Sequence, residues 1–181
     1  MASLLILGLG NLLCGDDGLG AVAVERLLDD WNPPPDVDVL DGGTLGLSLL
    51  PYLQDARDVI LLDAIRADAP AGSFVRLDGD DVGPAVATRL SPHQIGVADL
   101  LDGARWLDAY PQRLVLLGLV PASIELGLER SPEVERHLPQ LISAAVVEAA
   151  RLGYVFQRRT PSASHPGVGA VVHRGAIGLP R

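Results

Sequence analysis

LLILGLGNLLCGDDGLG, residues 4–20, opens on four apolar residues and passes through a glycine-rich turn carrying two carboxylates, Asp16 and Asp17. The opening is continuously hydrophobic instead of alternating, the pattern of a strand buried on both faces. Apolar residues then recur at helical spacing over residues 19–31, so the stretch reads as strand, loop, helix. Similar apolar runs follow at residues 37–40, 59–62, 73–77 and 113–120, with an amphipathic segment at 45–53. Buried strands joined by helices form a mainly parallel sheet, and the predicted class is α/β. At 181 residues the chain has the size of one ordinary domain.

Two helix starts are well signalled. Ser91-Pro92-His93-Gln94 has serine at the cap, proline at the first helical position and glutamine three residues after the cap, leading into residues 95–101. Ser131-Pro132-Glu133 opens a last helix running to about Leu152. Pro33-Pro34-Pro35 is a rigid connector, since proline fixes φ and lacks a backbone donor. Residues 1–156 are expected to form the domain. Residues 157–181, rich in Pro, Gly and Ser and without periodicity, are expected to form a flexible tail.

Composition narrows the function. The formal charge of −9 disfavours nucleic acid and an anionic membrane as partners and suits cationic ligands or metals. All 14 basic residues are arginine, which excludes Schiff-base lysine chemistry and a Walker lysine. The single cysteine, Cys14, forms no internal disulfide and is compatible with a reducing cytosol; it reads as loop packing. The first basic residue is Arg26, so the apolar start lacks the positive flank of a secretory signal. No apolar run is long enough to insert in a membrane, and a cytoplasmic location is expected.

The glycine loop invites a dinucleotide reading, which predicts an oxidoreductase, but G-x-G-x-x-G needs glycine at position 13, where Leu13 stands. Asp16 and Asp17 also occupy the helix start where a pyrophosphate would dock. One of them can serve as a cap. Two adjacent carboxylates at the carboxyl end of a first strand exceed that need, and that end is where open α/β sheets bind ligands. Asp63 closes the apolar run of residues 59–62 in the same way, whereas Asp41, before two glycines, reads as a turn residue. His93, in a first helical turn, is disfavoured as imidazolium and so suited to metal. Asp17, Asp63 and His93 form a mixed oxygen and nitrogen set of the type that holds nickel or zinc. His137, His165 and His173 lack such surroundings.

GLGNLLCGDDGLG, LDGGT at 40–44, VILLDA at 59–64 and SPHQIGVADLL at 91–101 together resemble the hydrogenase maturation endopeptidases, from about residue 4 to about 152. The resemblance implies a three-layer α/β/α sandwich around a twisted, mainly parallel sheet. It implies removal of a C-terminal peptide from the nickel-loaded precursor of the nickel-iron hydrogenase large subunit, with nickel brought by the substrate's cysteines. By motif, Asp17, Asp63 and His93 would bind that metal and carry the catalysis. A metal-polarised carbonyl or metal-bound water would then be attacked or attack, with Asp16 or another nearby carboxylate as proton acceptor. The SPHQ and ADLL form is most similar to the subgroup serving membrane-bound uptake hydrogenases. The rival reading is a noncatalytic, chaperone-like binder of the precursor that senses nickel.

Overall fold

In the computed structural model, residues 3–87 and 95–160 are described. In chain order they form β1 (Leu4–Leu9), α1 (Leu19–Asp30), β2 (Trp31–Asn32), β3 (Val37–Gly43), α2 (Leu50–Gln54), β4 (Asp58–Ala64), β5 (Phe74–Asp78), α3 (Val82–Ala87), α4 (Ile95–Trp106), β6 (Arg113–Leu119), α5 (Pro132–Arg151) and β7 (Gln157–Arg158). Five strands make one sheet in the order β3-β1-β4-β6-β5, parallel throughout except for β5, which runs antiparallel along β6.

The apolar runs of β1 and β4 are buried at every position because helices cover both faces of the sheet. Strand geometry sends alternate side chains to opposite sides. Leu4, Ile6, Ile60 and Leu62 join the core built with α1 and α5. Leu5, Leu7, Val59 and Leu61 join a second core with residues of α2, α3 and α4. Each fully buried leucine contributes about 1.5–3 kcal/mol of hydrophobic stabilisation. The α/β/α sandwich expected from the sequence is therefore the observed architecture.

The helix starts follow their signals where they are described. The Ser131 hydroxyl accepts from the Val134 amide at 3.3 Å, with Pro132 in the first turn of α5. The predicted start at Ser91 to Gln94 lies outside the described residues, although α4 follows directly. The amphipathic stretch 45–53 divides into a 3₁₀ turn, Gly46–Leu49, and the short α2. The first helix stops at Asp30, and Trp31–Asn32 pair antiparallel with Gln157–Arg158, within the segment expected as a tail. Residues 161–181 lie outside the described ones.

Arg76 of β5 bridges to Glu148 of α5 at 2.9 Å, tying the antiparallel edge strand to the helical layer. The same guanidinium holds the Glu148 carboxyl below its ordinary range, against the opposing effect of burial. At the other end of the strands, the buried Asp58 carboxylate accepts from Tyr154 at 3.0 Å and from Arg57, fastening the chain after α5 to β4.

Helix α1 crosses β1 at unusually close range. A methyl group added to Gly20 would meet the backbone carbonyl oxygens of Leu62 and Leu9, and one added to Gly8 would meet that of Gly20. Backbone of a central sheet cannot give way as a flexible side chain does. Gly20→Ala should lower stability by about 3 kcal/mol, read as a fall in the urea midpoint; an unchanged midpoint would show that the helix can lift from the sheet freely.

Candidate active site

β1 connects by way of α1 to β3 on one side, whereas β4 continues towards β5 and β6 on the other. The connections leaving the carboxyl ends of β1 and β4 thus diverge, and a crevice forms there; such a switch point is where open α/β sheets take ligands. Asp17 follows β1, in the 3₁₀ turn Gly15–Gly18 before α1, and Asp63 is the penultimate residue of β4. The structure brings these two predicted residues together. Both are buried, and both line a cavity of about 20 Å³ with Gly10, Gly43, Thr44 and Val97.

Each carboxylate is oriented by backbone. Asp17 Oδ2 accepts from the Asn11 amide at 2.8 Å, and Asp63 Oδ1 accepts from the Ala64 amide at 2.6 Å. Gly10 makes this possible: its φ is +114°, and a β-carbon there would collide with the Asp17 carbonyl oxygen. The Gly10 amide donates to Gly43 at 3.0 Å, joining the β1 and β3 loops across the site. The cavity has room for one water-sized body, the dimensions of a single ion. Two carboxylates facing so small a space fit a divalent cation by charge and by donor type.

His93 lies outside the described residues; Val97, four positions on in α4, lines the acidic cavity. Among the described residues no three His, Cys, Asp or Glu side chains gather as a metal-holding group. Asp41 is the turn residue expected, its Oδ1 accepting from the Gly43 amide at 2.9 Å. His137 sits on α5 with Nδ1 2.8 Å from the Glu133 carbonyl oxygen. Half-buried Cys14 spans the loop, its amide bonded to the Asn11 oxygen and its carbonyl to the Asp17 amide.

Asp16 has a different place from its neighbour. Its buried carboxylate turns to the loop that follows β6: Oδ1 accepts from the Ser131 amide at 2.6 Å, and Oδ2 from the Ala122 and Ser123 amides at 2.8 and 3.2 Å. Gly15 and Gly127 add two more links, Gly15 donating to the Gly127 oxygen and Gly127 to the Leu13 oxygen. With both oxygens engaged by backbone donors, Asp16 clamps the loop that follows β6. The clamp also caps α5 indirectly, because Ser131 is that helix's N-cap.

Two features escaped the sequence. Residues 120–124, beyond β6, form the wall of a larger cavity of about 280 Å³ that also includes Asp17, Ala64 and Arg66. The only sequence signal was the end of the apolar run of residues 113–120 beside that of β4. The second is a rim of exposed leucines on the loops after β1, β3 and β6: Leu12 and Leu13, Leu45 and Leu47, and Leu126 and Leu128, of which Leu126 is 91% exposed.

Fold and site together define an α/β/α protein with a buried acidic pair at the switch point of its sheet and a larger cavity beside it. The hydrogenase maturation protease family matches residues 22–148. The chain is 32% identical over 178 residues to the hydrogenase expression/formation protein HupD of Thiocapsa roseopersicina, covering 94% of this chain and 80% of that one. It is 37% identical over 134 residues to the hydrogenase 2 maturation protease of Escherichia coli K12, covering 73% and 81%. The solved structure of the hydrogenase maturating endopeptidase HybD from E. coli superposes with a TM-score of 0.84 at 31% identity, over 90% of this chain and 100% of that one. This chain belongs to the hydrogenase maturation protease family.

Proposed function

We propose that the chain is the endopeptidase that removes the C-terminal extension from the nickel-loaded precursor of a nickel-iron hydrogenase large subunit, acting in the cytoplasm. The observation that carries this reading is the ion-sized acidic cavity between Asp17 and Asp63, opening beside a second cavity of about 280 Å³ that Asp17 also lines, in a member of this family. Asp17 lines both spaces, so a peptide in the larger one passes next to the acidic pair. The exposed leucines around the opening are suited to contact with a folded protein substrate rather than a small molecule. Among the described residues no helix is long and apolar enough to cross a membrane.

Nickel here is part of the substrate. Asp17 and Asp63, with His93 as the third ligand, would complete the coordination of nickel held by the precursor and so hold the scissile bond at a set position. Cleavage is then coupled to metal loading, because an empty precursor lacks the group that the acidic pair binds. Hydrolysis adds water across the peptide bond, and a metal held by the precursor together with Asp17, Asp63 and His93 would supply polarisation of the reacting oxygen. Asp16 serves this arrangement by holding the cavity wall, with its carboxylate engaged elsewhere.

The test is intact mass spectrometry of the precursor, nickel-loaded and nickel-free, after incubation with the protein and with its His93→Ala variant. Loss of the extension is expected only with nickel and the unmodified protein. A stable complex without any loss of mass would instead establish the chaperone-like reading. Cleavage of the nickel-free precursor would overturn the coupling to metal loading.

A further inference from the structure

The larger cavity has walls of small or apolar residues, among them Ala64, Ala67, Pro121 and Ala122, with two charged residues, Asp17 and Arg66. Arg66 stands apart from the other described arginines. Arg26, Arg57, Arg76, Arg105, Arg113, Arg130 and Arg151 pair with carboxylates, and Arg158 and Arg159 meet Trp31 and Asn32. Only the side chains of Arg66 and Arg136 have no ion pair, hydrogen bond or ring contact among the described residues; both are exposed, and of the two Arg66 alone lines the cavity, Arg136 lying on α5. In a chain with 23 acidic residues against 14 basic ones, an exposed arginine at the edge of a cavity, without a side-chain partner among the described residues, is available to a carboxylate from outside.

We propose that Arg66 is a specificity-determining residue that takes a carboxylate carried by the precursor's C-terminal extension while the extension lies in the larger cavity. This rests on the proposed protease reading. The chain's net charge of −9 and Asp17 disfavour a carboxylate, and Arg66 is the one cation among the described residues lining the cavity, so its guanidinium sets the register in which an acidic peptide can lie. Arginine's planar fork grips a carboxylate through two parallel hydrogen bonds, which orients as well as attracts. The carboxylate has two sources: an Asp or Glu side chain within the extension, or the extension's own terminal carboxyl group. Because Asp17 borders both cavities, a chain anchored at Arg66 places a neighbouring peptide bond beside the acidic pair.

The experiment measures KM and kcat for nickel-loaded precursor with the unmodified protein, Arg66→Gln and Arg66→Lys. Arg66→Gln should raise KM about tenfold and leave kcat within about twofold, Arg66→Lys should recover part of the loss, and the difference should shrink as salt screens the charge. Two altered precursors identify the source, one with the extension's acidic side chains converted to their amides and one with its C-terminus amidated. The altered precursor that lacks the recognised group should show the raised KM with the unmodified protein and no further loss with Arg66→Gln. An unchanged KM for Arg66→Gln, with the unmodified protein cleaving normally, overturns the assignment of Arg66 and leaves the protease reading intact. Absence of cleavage by the unmodified protein overturns both.

Discussion

Asp17→Asn and Asp63→Asn are each expected to reduce processing of nickel-loaded precursor by about a thousandfold while the unfolding midpoint stays at or above that of the unmodified protein. Asparagine preserves size and can still accept from the Asn11 or Ala64 amide through its carbonyl oxygen. It removes the negative charge that the substrate's metal would meet. Two carboxylates lining one small cavity carry like charge, so neutralising one is not expected to threaten the fold. Single-turnover cleavage followed by intact mass, with urea unfolding on the same preparations, separates the two effects. Retained cleavage in either variant would remove that residue from the catalytic set.

The neighbouring substitution has the opposite profile. Asp16→Asn should cost about 2–4 kcal/mol of stability, because hydrogen bonds to a buried charged group contribute about 1.5–3 kcal/mol each and three backbone donors converge on this carboxylate. An amide group satisfies the donors at its oxygen but turns its own N–H groups towards the rest. Asp16→Ala leaves all three unpaired and should cost more. The measurable result is a lowered urea midpoint, with the folded fraction still cleaving precursor at a reduced rate as residues 122–131 loosen. A normal midpoint with no cleavage would return Asp16 to the chemistry and dissolve the distinction between the two adjacent carboxylates.

That distinction marks a limit of reading the chain by itself. Asp16 and Asp17 share a motif and a sequence environment; one faces the Asp63 side of the crevice and the other a loop more than a hundred residues away. Which way each points depends on the 3₁₀ turn at Gly15–Gly18 and on residues 122–131, whose approach is a tertiary event. The cavity containing Arg66 was hidden for the same reason, since its walls come from the ends of β4 and β6 and from no local pattern. The antiparallel direction of β5 was equally silent, because an edge strand carries no periodicity that reports its orientation.

What the sequence determined alone is the part governed by local chemistry. The unbroken apolar runs of β1 and β4 require burial on both sides, and the Ser131-Pro132 start satisfies the first turn of α5 from neighbouring residues. Asp41 could likewise be read as a turn, because its oxygen reaches an amide only two residues on. The motif order was also enough to identify the family. Only the tertiary structure decided that Asp17 and Asp63 share an ion-sized cavity, that Asp16 clamps the opposite loop, and that Arg66, without a side-chain partner among the described residues, lines the cavity beside them. Each of those facts depends on which strand ends lie adjacent across the sheet, and the strand order is set by the packing of two separate cores rather than by any single stretch of residues.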